Sequence, residues 1–330
     1  MRCLTLAESL AKRGVAVSFL CRELAGNLCD HIEARGFRTF RLAPGADDAE
    51  GTEEILEELK PDWLVVDNYA LDAAWESRMR PLAGRIMVID DLADRRHDCD
   101  LLLDQNYYAD LESRYRGLVP KTCRLFLGPR HALLRPEFPE ARSSMAERTG
   151  TVTRVLVFFG GSDSTNETGK ALDALGRFKG KALSADVVVG ASNPRKELIR
   201  EQCAALPGVA FHCQVPNMAR FMADADFAFG AGGTATWERC FLGLPAAAIV
   251  LAQNQLEVIR AVEGAGALRN LGWHQEVTAG RILEELEWAV AHPAALKKMG
   301  IRAQTLMGSD LAQKESPLVR VLCGEGKESC

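Results

Sequence analysis

The sequence predicts an α/β protein made of two open, doubly wound, Rossmann-like domains of similar size. Three observations predict it. The chain has 330 residues, enough for two domains at roughly 100–200 residues each. Short β-branched runs alternate with helix-period segments through both halves, the pattern of parallel strands joined by crossover helices. Between Glu140 and Arg154 the chain turns polar and loses its apolar period. With 47% hydrophobic and 26% charged residues, the composition excludes a disordered tail, a collagen-like repeat and a small disulfide-stapled scaffold. The net charge of −5 supplies no global positive field for nucleic acid or an anionic membrane. The longest near-apolar stretch, Gly243 to Ala252, is about half of the ~20 residues a spanning helix needs.

The chain opens inside a helical pattern, with Leu4, Ala7, Leu10 and Ala11 at helical spacing and Gly14 as a C-cap candidate. Charges at Arg2 and Glu8 exclude a secretory h-region. No strand precedes this helix, so either this domain is built differently or its first strand and loop are missing. Strands are expected at Val15–Leu20, Thr39–Leu42, Trp63–Val66, Ile86–Ile89, Leu101–Leu103 and Leu125–Leu127, and helices at 24–35, 51–59 and 71–80. In the second half strands are expected at Val155–Phe159, Ala185–Val189, Val209–Cys213, Phe227–Gly230, Ala246–Val250 and Ala267–Asn270. Helices are expected near 166–176, 195–205, 217–223, 234–242, 254–263 and 278–290. The resulting division is an N-terminal domain over 1–142, a linker over 143–153, a C-terminal domain over 154–308, and a final helix and tail over 309–330. Two such domains present a cleft between the carboxyl ends of their strands, where ligands bind.

The strongest local signal runs from Phe227 to Glu238: a buried strand, a glycine-rich turn (Gly230-Ala231-Gly232-Gly233) and a helix opening at Thr234 or Ala235. Glycines allow a phosphate close to the backbone, and amides at a helix start attract anions. Gly232, Gly233, Thr234, Ala235 and Thr236 are therefore candidate phosphate contacts. Glu238, one turn further, could accept bonds from a ribose diol. The alternative is a tight strand–helix turn whose acid complements the helix dipole. A similar element, Gly160-Gly161-Ser162-Asp163, could contact a diphosphate or simply cap the next helix. Asn254 and Gln255 follow a buried strand, where amides suit sugar hydroxyls; Asn254 could equally be an N-cap. In the first half Asp67 with Tyr69, and Asp90 with Asp91, stand just past buried strands.

His97 reads as a solvated loop histidine, and His31, His131, His212, His274 and His292 have no clear sequence partners. The ten cysteines show no C-x-x-C pair and no zinc-like Cys/His spacing. Reduced cysteines in apolar runs behave as small hydrophobes, so a cytoplasmic, disulfide-free protein with no metal and no cofactor is expected.

Together these residues resemble a known family: the UDP-sugar hydrolases of pseudaminic acid biosynthesis, related to a spore-coat polysaccharide protein and to the glycosyltransferase of lipid II synthesis. The similar stretches are Arg2 to Ala7, Val66 to Asp72 with Trp75-Glu76, Ile89 to Arg95, Leu103 to Asn106, Phe159 to Asp163, Gly230 to Cys240, and Ala252 to Gln255. The resemblance implies a GT-B fold whose second domain holds most of the donor nucleotide. It implies uracil against the Val215-Pro216-Asn217-Met218 loop, ribose on Glu238, diphosphate on Gly233 to Thr236, and Tyr69 and Asn254 facing the sugar. The implied reaction is attack of water at C1 of a UDP-linked 2,4-diacetamido-2,4,6-trideoxyhexose, releasing UDP without a metal; separately, a monomer is expected. A sugar transferase and a non-catalytic nucleotide-sugar-binding protein are the alternatives. In the family a Gly-x-Gly-His segment precedes the Met-Arg-Cys stretch, and its His is the expected base. Met1 is therefore expected to be an internal methionine of a longer reading frame, and this chain to bind UDP but turn over poorly.

Overall fold

The computed structural model describes residues 1–24, 26–45, 47–308 and 316–325. The chain forms two compact units. The first comprises 1–106 and 110–133 with the short helix near the end of the chain; the second comprises 107–109 and the stretch from Leu134 onward.

In the first unit, α1 (Arg2–Ala11), β1 (Ser18–Arg22), α2 (Cys29–Ala34), β2 (Arg38–Leu42), α3 (Asp48–Leu59), β3 (Trp63–Val66), α4 (Ala73–Met79), β4 (Arg85–Ile89), β5 (Leu101–Asp104) and β6 (Arg124–Leu127) follow in order. Asp47 caps α3 by accepting from the amides of Ala49 and Glu50, and Asp72 caps α4 through those of Ala74 and Trp75. All strand pairs are parallel, in two separate ladders: β1 with β2, and β3-β4-β5-β6. Among the described residues β1 and β3 are each paired on one edge alone. Their side chains are mostly half-buried, whereas Ile86–Ile89 and Leu101–Leu103, paired on both edges, are fully enclosed. That agrees with the near-continuous apolar runs expected of interior parallel strands. Leu6 and Leu10 of α1 pack over this sheet together with Leu318, Val319 and Leu322 of the last described helix (Pro317–Leu322). The expected tail falls partly on 309–315 and 326–330, outside the described residues.

The second unit continues with α5 (Glu137–Ser144), β7 (Arg154–Phe158), α6 (Glu167–Arg177), β8 (Ser184–Val189), α7 (Lys196–Ala204), β9 (Val209–Cys213), α8 (Met218–Asp224), β10 (Phe227–Ala231), α9 (Ala235–Phe241), β11 (Ala246–Val250), α10 (Gln253–Gly264), β12 (Arg269–Trp273), α11 (Ala279–Ala291) and α12 (Pro293–Leu306). Its six parallel strands lie in the order β12-β11-β10-β7-β8-β9. The chain winds from β7 outward to β9, then returns to the other side of β7 and winds outward again from β10. The order thus reverses between β7 and β10, and ligands of open α/β sheets bind at the carboxyl ends of the strands flanking such a reversal. The two loops leaving those ends are the two glycine-rich turns seen in the sequence.

Several expectations need correction. β1 lies at Ser18–Arg22 rather than Val15–Leu20, and α2 begins at Cys29, not residue 24. β12 lies at Arg269–Trp273 rather than Ala267–Asn270, and its pairing with β11 shifts register between Ala248 and Ile249. The polar stretch after Glu140 begins inside a helix, α5. Its later residues are tied down by Arg148, which donates to the carbonyls of Met222 (2.7 Å), Leu242 (3.2 Å) and Ala225 at the ends of α8 and α9. Such cationic donation to last-turn carbonyls satisfies groups a helix cannot pair internally. The longest helix, α12, was not expected. Its Pro293 occupies a first-turn position that proline tolerates. Its Gly300 sits where a Cβ would lie 2.5 Å from the Gly243 carbonyl, a close approach that propensity alone would not suggest.

Leu296 of α12 is fully buried in the second unit's core, among Leu286, Ile282 and Val155. Leu296→Ala is expected to lower stability by about 2–5 kcal/mol through lost burial and a residual cavity, read from the urea midpoint at unchanged m-value.

Candidate functional site

At the β10–α9 turn the glycines divide by role. A Cβ on Gly230 would meet the Phe158 carbonyl at 2.8 Å and the Arg239 guanidinium still closer. On Gly232 it would lie 2.6 Å from Ile259. Both are demanded by packing. Gly233 faces open space, its nearest neighbour being the Gln255 amide at 3.8 Å. Gly160 and Gly161, at the end of β7, are likewise open, and Gly160 has φ +95°, a region glycine enters without strain. The approach of Gly190 is tight: a Cβ there would lie 2.5 Å from the Gly161 carbonyl.

Buried Arg239 braces the turn from beneath, donating to the Ala231 carbonyl (2.8 Å) and to the Thr236 hydroxyl (3.1 Å). The Thr236 side chain is therefore buried and engaged, while Thr234 is exposed and Ala235 half-buried. Glu238, one turn in, is largely enclosed, its side chain 13% exposed. The Arg135 guanidinium donates to its Oε1 at 3.0 Å and reaches Glu137 with its other terminal nitrogen at 3.0 Å. Burial pushes the Glu238 carboxyl above the usual range, and Arg135 opposes that shift.

Around this turn, Asn254 is exposed on the first turn of α10, two residues past its N-cap Ala252, so it does not cap that helix. The Gln255 side-chain Oε1 accepts from the Leu251 amide (3.0 Å). Met218, first residue of α8, is buried, and Asn217 caps that helix through the Arg220 amide. Ser162 is exposed, and the Asp163 carboxylate accepts from the amides of Glu167 and Thr168 (2.9 Å each), capping α6. In this unit a polar cavity of about 650 Å³ is lined by Glu137, Glu140, Arg148, Asn217 and Asp226 and by no residue of the glycine turns.

In the first unit, Arg2 at the start of α1 joins the ends of β3 and β4. It holds Asp67 through two nitrogens, Nη2 to Oδ1 (2.6 Å) and Nε to Oδ2 (3.1 Å), and reaches Asp91 at 3.1 Å. The Cys3 thiol also donates to Asp67 (3.0 Å), and the half-exposed Tyr69 hydroxyl donates to Asp91 (2.8 Å). Burial alone would raise the Asp67 carboxyl, but the Arg2 bonds and charge outweigh it and hold it below the usual range. Burial and Asp91 push Tyr69 up to about 12, so it remains a proton-bearing donor at neutral pH. Arg2 and Cys3 belong to the Arg2 to Ala7 stretch that carries the family resemblance, yet nothing in their spacing showed that the helix start would meet two strand ends.

Beneath that surface lies a buried polar network. The Tyr115 hydroxyl lies between Asp90 Oδ2 (3.1 Å) and Asp104 Oδ2 (3.0 Å). Asp90 also accepts from the Ala93 amide and pairs with Arg95. His97 is not solvated: it is 3% exposed, with Nδ1 2.7 Å from the fully buried Glu76 carboxylate. Two chain segments twenty-one positions apart exclude water around it, which the charged local sequence concealed. His212 likewise has a partner, Asp186, at 2.8 Å.

The parallel sheets, with the strand-order reversal at the glycine turns, define a GT-B fold. The likeness extends over the whole chain: MurG of Acinetobacter baumannii superposes with TM-score 0.68 at 12% identity, covering 98% of this chain and 95% of that one. Arabidopsis thaliana UGT89C1, solved with UDP-L-rhamnose, gives 0.60 at 12% identity over 98% and 95%.

Sequence relatives are distant. The UDP-2,4-diacetamido-2,4,6-trideoxy-beta-L-altropyranose hydrolase of Campylobacter jejuni is 26% identical over 247 residues, 74% of this chain and 85% of that protein. The uncharacterized protein MJ1062 of Methanocaldococcus jannaschii is 24% identical over 262 residues, 78% of this chain and 53% of that protein. The Bacillus subtilis spore coat polysaccharide biosynthesis protein SpsG is 28% identical over 166 residues, 50% and 48%. The chain thus spans about half the length of the latter two. No family model matches it. Among the described residues no helix is long and apolar enough to cross a membrane.

Burial raises the Asp104 carboxyl to about 7. Between pH ~4 and 7 the folded protein keeps this proton while the unfolded chain loses it, so Asp104 withdraws stability as pH rises through that window and adds no slope above it. In chemical denaturation, Asp104→Asn is therefore expected to gain stability relative to the wild type from pH 4 to 7, with a constant difference above 7.

Proposed function

We propose that this protein binds a UDP-linked amino sugar and hydrolyses the bond between the sugar C1 and the diphosphate oxygen. The observation that carries the reading is the β10–α9 turn at the strand-order reversal, with an open Gly233 and an enclosed Glu238 one helical turn beyond. The distant similarity to the altropyranose hydrolase supports the sugar class, and the fold supports a nucleotide-sugar donor.

The amides of Gly232 and Thr236 are already committed to the Ile249 and Gly233 carbonyls. In this reading Gly233, Thr234 and Ala235, with Gly160, Gly161 and Ser162, receive the diphosphate through backbone amides and the exposed hydroxyls. Those donors are aimed at an oxygen that gains charge as the C1–O bond lengthens, so they stabilise the departing UDP more than the bound substrate. Glu238 accepts hydrogens from the ribose hydroxyls, the Val215–Met218 loop holds the uracil, and Asn254 and Gln255 offer amides to the sugar. Within the first unit, Tyr69, Asp67 and Asp91 form a polar cluster suited to sugar hydroxyls. Water attacking C1 must lose a proton to a base, and the sugar carries oxocarbenium character as it does so. Tyr69, held protonated by its surroundings, is suited to donate a hydrogen bond rather than to act as that base.

Calorimetry with UDP is expected to give a complex that Glu238→Ala weakens by about 10–100-fold, the worth of hydrogen bonds to a charged group. Undiminished affinity would remove Glu238 from the site. Incubation with the UDP-amino sugar in water is expected to release UDP without any acceptor. Release that requires an added acceptor sugar would make the protein a transferase, and binding with no release under either condition would make it a nucleotide-sugar-binding protein.

A further inference from the structure

Glu238 carries an electrostatic problem that its own helix does not solve. Its side chain is almost fully enclosed, and an isolated buried carboxylate takes up a proton rather than remain charged. The charges that bear on it are Arg135 and Glu137, from the segment entering α5, and Arg239 on its own helix. Arg239 is committed to Ala231 and Thr236. β10 has no charged residue; on α12 Lys297 pairs with Glu147 while Arg302 lies against Gly266, and Arg142 and Arg148 are committed to the Phe241 and Leu242 carbonyls at the far end of α9. That leaves one guanidinium shared by two carboxylates, at 3.0 Å from each.

We propose that Arg135 is a positioning residue for the nucleotide pentose: its guanidinium, hydrogen-bonded to Glu238, favours the charged form of that carboxyl and fixes one of its oxygens, leaving the group free to accept hydrogens from a vicinal diol. A carboxylate is an acceptor only, and its two oxygens offer about four lone-pair directions. Arg135 occupies one of them on Oε1, so both ribose hydroxyls can donate to those that remain. The stacking of Arg135 over Phe138, 5.2 Å from guanidinium carbon to ring centroid, restricts its side chain to this pose. Without the guanidinium, Glu238 loses its hydrogen-bonded cation while the charge of Glu137 still bears on it, and both changes favour proton uptake. A protonated Glu238 has lost the charge that strengthens its bonds to the diol. Losing Arg135 therefore does not abolish the pentose site; it makes the site pH-dependent. This inference rests on the nucleotide reading above.

The test measures UDP affinity by calorimetry at pH 6, 7 and 8 for the full wild-type chain, Arg135→Ala and Arg135→Lys. Proton loss from UDP itself cancels in the variant-to-wild-type ratio of Kd. For Arg135→Ala that ratio is expected to be larger at pH 6 than at pH 8, by at most about tenfold for each unit by which Arg135 lowers the Glu238 pKa. Arg135→Lys keeps the charge and is expected to show a smaller, flat ratio. A flat ratio for Arg135→Ala, or a lysine variant indistinguishable from it, overturns the proposal. Carboxyl-carbon NMR without nucleotide, with the Glu238 signal assigned through Glu238→Gln, decides the point independently of ligand. Arg135→Ala should raise the pH at which Glu238 titrates, and an unchanged titration overturns the role. A wild type that binds no UDP would refute the nucleotide reading, while the NMR titration would still decide what Arg135 does to Glu238.

Discussion

The second unit depends on how closely the backbones of β7 and β10 lie at the reversal of strand order. Phe227 to Gly230 pair in parallel register with Val155 to Phe158, and at the end of that ladder any side chain on Gly230 would run into the Phe158 carbonyl. Gly232 and Gly190 are under the same constraint from Ile259 and Gly161. Since the backbone has no room for a Cβ there, both loops leave the sheet tightly and in fixed directions. Arg239 then spans the gap between strand end and helix start with two hydrogen bonds. The open positions, Gly233, Gly160 and Gly161, are defined by contrast with these closed ones, and a ligand can approach the backbone only where packing has not claimed the space.

Buried charge is the second theme, and both units treat it alike. Glu238 shares Arg135 with Glu137, Asp67 and Asp91 share Arg2, and Asp90 and Asp104 share Tyr115. In each case two acidic groups at strand or helix ends converge on one donor. The desolvation cost of a carboxylate is offset only by hydrogen-bonded partners of opposite charge or by uptake of a proton. Asp67 takes the first course and drops below the usual range; Asp104 takes the second and rises to about 7. Such opposed shifts among neighbouring groups are common where polar chemistry is arranged, though structural networks produce them too.

Much of the fold was legible in the sequence because its signals are local. Leu101–Leu103 and Ala246–Val250 are apolar runs with no polar alternation, and both are enclosed parallel strands. The turns at Gly160 and Gly232 stand where glycine follows such a run. Misplaced elements had weak or conflicting local signals. β12 contains Gly272 at φ +102° and pairs through a register shift, and α12 carries an interior glycine. Of the candidate site, the glycine turn and Glu238 were legible as a strand–turn–helix pattern, but their partners were not. Arg135 stands 103 positions from Glu238, and Arg2 stands 65 from Asp67 and 89 from Asp91.

Element type and order follow from the chain alone, because the period of apolar side chains and the positions of glycine and proline act over a few residues. Which glycines admit a ligand, which histidine is sealed from water and which carboxylate keeps its charge follow from folding. Those outcomes are set by desolvation and by hydrogen-bond partners drawn from distant parts of the chain, and no local pattern encodes either.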